Sequence, residues 1–171
     1  MDTACAIQYN KTQEGEVILM LTVMELISFP LFRNFRLVSG YGGLYSQVKG
    51  TGIFEWESTT DVERNFVEGE FVITTLSMSR SDAELAEASI RTLIDKNVSA
   101  VAIKDVYYHE ISGELKAYSD AHQVPVFFFS ETFFDDIIYT IKNALLTYDR
   151  DFSRDAQLEA LLDGACPPEQ K

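Results

Sequence analysis

Three apolar runs, at 71–76, 98–103 and 124–129, recur at near-equal spacing with an amphipathic stretch between each pair. Their aromatic and β-branched content, bounded by turn residues, reads as buried strands. The first intervening stretch sets Leu85, Ser89, Ile90, Leu93 and Ile94 at helical spacing, with Ser81 and Glu84 as a capping box and Lys96-Asn97 as the stop. The second, about 110–122, places Ile111, Leu115, Tyr118 and Ala121 on one face. After the third run, Thr132 is the expected cap of a helix that turns Phe134, Ile137, Ile138, Ile141 and Leu145 inward. Strand–helix–strand–helix–strand at this rhythm requires parallel pairing through right-handed crossovers. The expected fold is therefore α/β, a mostly parallel sheet with helices packed on its faces.

The front half is less regular, which allows a mixed sheet. Thr22 can cap a short helix over 23–28 that Phe29-Pro30 ends. A strand-like stretch at 35–39 runs into the turn Gly40-Tyr-Gly-Gly43, and 48–56 is a second extended candidate that Gly50 and Gly52 weaken. An acidic, helix-prone stretch at 60–66 precedes Gly69-Glu70. Toward the end, 154–163 reads as a separate short connector helix with Leu158, Leu161 and Leu162 on one side, a stripe that needs a partner to cover it. The phenylalanines at 127–129, with Phe133 and Phe134, read first as core, since central parallel strands take apolar residues on both faces, and second as a dimer interface.

Charge narrows the function classes. Twenty-seven acids against fourteen bases leave −13, and no local Lys/Arg cluster offsets it, so direct contact with nucleic acid is not expected. No apolar run has the length to cross a bilayer. Cys5 and Cys166 show no metal or redox spacing and fit a reducing cytoplasm.

The catalytic inventory is thin. His109-Glu110 lacks the second histidine of a zinc-protease helix, because Gly113 stands there, and His122 lies near a helix end; both read as structural or surface residues. Gly50-Thr-Gly52 lacks the third glycine of a dinucleotide fingerprint, and neither a phosphate loop nor a Gly-x-Ser-x-Gly elbow occurs. Glu55/Glu57 and Asp135/Asp136 read as solvated faces. No metal and no cofactor is expected.

One place invites a ligand. Open α/β sheets bind small molecules beyond the carboxyl ends of their strands. Those ends gather Thr74, Thr75, Ser77, Lys104, Asp105, Ser130 and Glu131, with Arg80, Tyr107 and Tyr108 near enough to close over a crevice. The candidate ligand-binding set is Thr74, Thr75, Ser77, Lys104, Tyr108 and Glu131.

The order of these motifs resembles a known family. Leu21-Thr-Val-Met-Glu-Leu-Ile-Ser-Phe-Pro-Leu-Phe-Arg33 is similar to the opening of the N-terminal domain of purine catabolism regulator (PucR) transcription factors, where a short helix enters a Leu-Pro-Leu-type turn. Gly69-Glu-Phe-Val-Ile-Thr-Thr75 resembles that family's Gly-Glu-Leu-Val-Leu-Thr-Thr-Gly strand, and Ala102-Ile-Lys104 and Val124-Pro-Val126 resemble its later strands. The likeness runs from Leu21 to about Leu146. Leu76 stands where the family usually has glycine, 58–68 replaces its Pro-rich loop, and the proline of its last strand-to-helix turn is absent. A distant likeness to the N-terminal regulatory domain of HPr kinases concerns fold alone.

The resemblance implies a non-catalytic effector sensor in a homodimeric regulator. Its effector would be a purine or another nitrogenous metabolite, and DNA would be reached only through a C-terminal helix-turn-helix that this chain lacks. On that expectation 1–19 is an extension or a misplaced start, 20–147 the sensor domain and 148–171 a connector. The alternative is a small α/β enzyme or phosphotransfer accessory using the same crevice.

Overall fold

The computed structural model describes residues 10–11, 17–18, 20–55 and 64–163, and the side chains of 20–55 and 64–149. Two compact units result, Leu21–Leu145 and a second formed by the two ends of the chain. In the second unit, β1 (Asn10–Lys11) pairs antiparallel with β2 (Val17–Ile18), and neither belongs to the main sheet.

The Leu21–Leu145 unit begins with α1 (Val23–Ile27). Thr22 and Glu25 form a complete capping box there, each side chain bonding the other's backbone N–H. Pro30, which cannot continue a helix that needs its N–H, opens a 3₁₀ turn instead. Then follow β3 (Arg36–Ser39), β4 (Gly50–Ile53), β5 (Glu70–Thr74), α2 (Ala83–Asp95), β6 (Ala100–Lys104), α3 (Gly113–His122), β7 (Val126–Phe129) and α4 (Phe134–Asp163). The strand order is β3-β7-β6-β5-β4; β4–β5, β5–β6 and β6–β7 are parallel, and β3–β7 is antiparallel. This is a mixed α/β sheet, as the irregular front half allowed.

The alternation of side chains along each strand builds two cores. Val72, Val101, Ile103, Val126 and Phe128 join Ala86, Ile90, Leu93 and Ile94 of α2 and Leu115 of α3 in one cluster. The opposite parity is aromatic. Phe35 stacks on Phe129 at 4.5 Å, Phe71 lies 6.4 Å from Phe127 and 6.1 Å from Phe32, and Phe134 reaches Phe129 at 6.1 Å. Such pairs add about 0.5–1.5 kcal/mol each beyond area burial. Phe127, Phe128 and Phe129 are therefore core, whereas Phe133 is 70% exposed.

A glycine-rich turn fixes β3 to the start of β7. A Cβ on Gly40 would fall 2.1 Å from the Val124 carbonyl oxygen, and one on Gly43 would fall 1.8 Å from that of Gln123. That close approach lets the Gly40 N–H donate to Asp120 Oδ1 at 2.6 Å and Ser39 Oγ donate to Ser119 Oγ at 2.9 Å.

Several local expectations need correction. Asp82, not Ser81, caps α2, because Ser81 Oγ donates to the Met78 carbonyl and leaves the Leu85 N–H to Asp82. Leu85 and Ala121 are exposed, and the inward positions fall to Ala86 and Ser119. The Thr132 hydroxyl turns back to the Ser130 carbonyl at 3.4 Å, and α4 starts at Phe134. The separate connector helix at 154–163 is instead the end of α4, continuous to Asp163 since no glycine or proline interrupts it. The helix-prone stretch at 60–66 falls mostly outside the described residues, as do most of 1–19 and all of 164–171.

Candidate functional site

The carboxyl ends of β5, β6 and β7 lie side by side, with Thr74 opposite Ile103 and Lys104 opposite Phe129. The six candidate residues thus share one edge of the sheet but enter three different sets of contacts.

On the first, Thr74 is wholly buried and its Oγ1 accepts the Leu76 N–H at 2.8 Å. The Thr75 N–H and Oγ1 donate to the two carboxylate oxygens of Glu55 at 2.6 and 2.5 Å, and Ser77 Oγ donates to the Glu55 carbonyl at 2.8 Å. Glu55, expected on a solvated face, is half-buried over the end of β5. Its carboxylate occupies the position where an anionic ligand would meet those hydroxyls. Only the parallel β4–β5 pairing brings it there, so no spacing along the chain announces it.

On the second, the Tyr108 hydroxyl donates to Glu87 Oε1 at 2.7 Å. The Ser112 N–H reaches the same oxygen at 2.9 Å, and Ser112 Oγ donates to Oε2 at 2.6 Å. Burial opposes ionisation of Glu87, but the Ser112 and Tyr108 hydroxyls, the Ser112 N–H and the Arg91 charge together hold its pKa below the ordinary range. Burial first, and then the Glu87 bond and charge, push Tyr108 far above the usual phenol value. Tyr108 therefore serves as a neutral donor that pins the loop between β6 and α3 to α2.

On the third, Lys104 Nζ lies 5.6 Å from the Phe133 ring centroid and 5.8 Å from that of Phe134. Arg80 lies over Tyr107 at 5.1 Å, bridging the 3₁₀ turn after β5 to the loop after β6. Glu131 is exposed in the left-handed region at φ 63°. Val106, Tyr107 and Phe133 are exposed beside these groups.

A cavity of about 260 Å³ opens next to this edge, lined by Arg36, Val38, His109, Glu110, Ile111, Lys116 and Phe128. Arg36, Val38 and Phe128 come from the antiparallel β3–β7 pair, and the others from the approach to α3 and its first turn. His109 Nδ1 contacts Asp105 Oδ1, and Lys116 Nζ lies 3.1 Å from Glu110. Among the described residues no group of three His, Cys, Asp or Glu side chains could hold a metal ion.

Comparison with known families settles the kinship of this sheet. The purine catabolism regulatory protein-like family matches residues 25–145, most of the chain and nearly all of the five-stranded unit. The chain belongs to that family. A search of curated proteins finds no match for it. Within the family framework, β5 ends on the first of the two threonines and Thr75 follows it, and Leu76, where the resemblance expects glycine, adopts φ 49° and ψ 47°. That backbone region admits glycine without strain, which is the physical reason for a glycine there. Among the described residues no helix is long and apolar enough to cross a membrane.

Proposed function

We propose that this chain carries the effector-sensing and self-association domain of a PucR-like transcriptional regulator, non-catalytic and not itself in contact with DNA. The family match across residues 25–145 is the observation that carries the proposal. The polar carboxyl edge of the sheet supports it, because that is where open α/β sheets receive small molecules. The −13 charge supports the separation from DNA, since an acidic surface repels phosphate. On this proposal residues 20–147 sense, 148–171 lead toward a regulatory region, and the working unit is a cytoplasmic homodimer.

The effector is a nitrogenous metabolite, purine or otherwise. Lys104, Thr75 and Ser77 orient it, with Tyr108 and Glu131 beside the opening. Thr74 acts only through the backbone turn that its hydroxyl holds, and a ligand reaching Thr75 displaces the Glu55 carboxylate. The test is a thermal-shift screen of purines, amines, amino acids and metal ions, with the mixtures assayed for product. A shift with the ligand recovered unchanged supports sensing, and turnover ends it.

The contact of His109 with Asp105 favours a second possibility, a small enzyme. A carboxylate on Nδ1 orients an imidazole as a general base. That possibility requires turnover that His109→Ala abolishes.

A further inference from the structure

We infer that the cavity between β3, β7 and the start of α3 is a binding site for a small monocarboxylate, with Arg36 as its anchor. The Arg36 guanidinium lies 5.4 Å over the Phe128 ring, and it has no carboxylate partner among the described residues. Phe128 is itself buried, so the ring beneath the guanidinium is held in place, and Arg36 is an exposed residue. A planar guanidinium presents paired donors that match the two oxygens of a carboxylate.

The other lining groups set the charge of the occupant. Glu110 neutralises Lys116, and Asp105 faces His109 from outside the lining set. With those two acids engaged, Arg36 is the lining cation that no ion pair among the described residues takes up, on a chain of net −13. One uncommitted guanidinium on an acidic surface favours a monoanion, because a second negative charge would find no further cation and would lie beside Glu110 and Asp105. Val38, half-buried, adds a small apolar patch at its side, Ile111 and Phe128 being buried beneath the wall, and about 260 Å³ limits the size of the occupant. This site goes beyond the sensing role proposed above and uses none of the candidate residues at the sheet edge.

The test is a titration of the full ¹⁵N-labelled chain with sodium benzoate, followed by NMR, with sodium chloride at equal ionic strength as the control. Saturable shifts are expected at the Arg36 Nε–H and at the amides of His109, Glu110 and Ile111. Arg36→Gln should weaken binding by about tenfold or more and Arg36→Lys by less, because lysine keeps the charge and loses the fork. Lys104→Ala should leave benzoate affinity unchanged. Shifts that fail to saturate, shifts centred on other residues, or equal binding by Arg36→Gln would each overturn the assignment. A benzoate site here together with a failed metabolite screen would overturn only the sensing role.

Discussion

Leu76 sets a side-chain gain against a backbone cost, and the two can be separated by substitution. Its side chain is fully buried among Phe54, Val72, Ile103 and the α2 residues, while its backbone sits at φ 49° and ψ 47°. Truncating a buried leucine to alanine costs about 2–5 kcal/mol. Alanine at this position keeps the left-handed strain of about 1–2 kcal/mol, and glycine removes it. Glycine in turn gives up about 0.5–1 kcal/mol through the greater freedom of its unfolded chain. Glycine also gives up the buried Cβ, about 0.8 kcal/mol, so Leu76→Gly should fall within about 0.8 kcal/mol of Leu76→Ala, where a buried position without this strain would leave it about 1.3–1.8 kcal/mol worse. Neither change disturbs the Leu76 N–H bond to Thr74 Oγ1, which is a main-chain donor. Urea unfolding of the three proteins reads the difference as a midpoint shift at constant slope. If Leu76→Gly is less stable than Leu76→Ala by about 1.3 kcal/mol or more, residue 76 is not held in the left-handed region and the account of this turn fails.

Other expectations follow from the same contacts. Glu87→Gln should cost about 1.5–3 kcal/mol at pH 7, the range for hydrogen bonds to a charged acceptor. Because the Glu87 pKa in the folded state lies below the ordinary 4.5, its stabilisation is present above that value and is lost as pH falls through the lowered one. The gap between wild type and Glu87→Gln in urea should accordingly shrink between pH 6 and pH 3, and a constant gap would remove the carboxylate from the account. Gly43→Ala should cost about 3 kcal/mol or abolish folding, since its Cβ would fall 1.8 Å from backbone oxygen; circular-dichroism melting near the wild-type temperature would contradict the close approach. Lys104→Ala should weaken effector binding by about 1.5–3 kcal/mol in calorimetry, with little change in melting temperature. Light scattering should show a dimer for the whole chain and a monomer for one ending at Thr147; monomers in both cases would place self-association outside this chain.

The parallel core was legible because buried strands write themselves as continuous apolar runs and amphipathic helices write their period between them. The run at 124–129 contains β7, and those at 71–76 and 98–103 cover all but one residue of β5 and of β6. Cap identity was less legible. Ser81 and Asp82 are adjacent cap residues, and the choice between them depends on the 3₁₀ turn that offers Ser81 the Met78 carbonyl. The site was legible in outline, as a set of polar residues at strand ends. The carboxylates that engage them were not, because Glu55 and Glu87 reach Thr75, Tyr108 and Ser112 across about 20–25 residues of chain, through strand and helix packing. The cavity at Arg36 needs the antiparallel β3–β7 pair, and no local pattern announces which edge a short strand joins.

Sensing without chemistry is tested most directly by calorimetric titration of the whole chain with the metabolite giving the largest thermal shift, followed by mass spectrometry of the ligand recovered. Saturable binding at one molecule per chain, with the ligand returned unaltered, is the predicted result. Conversion of that ligand, or no binding by any member of the screen, would contradict it.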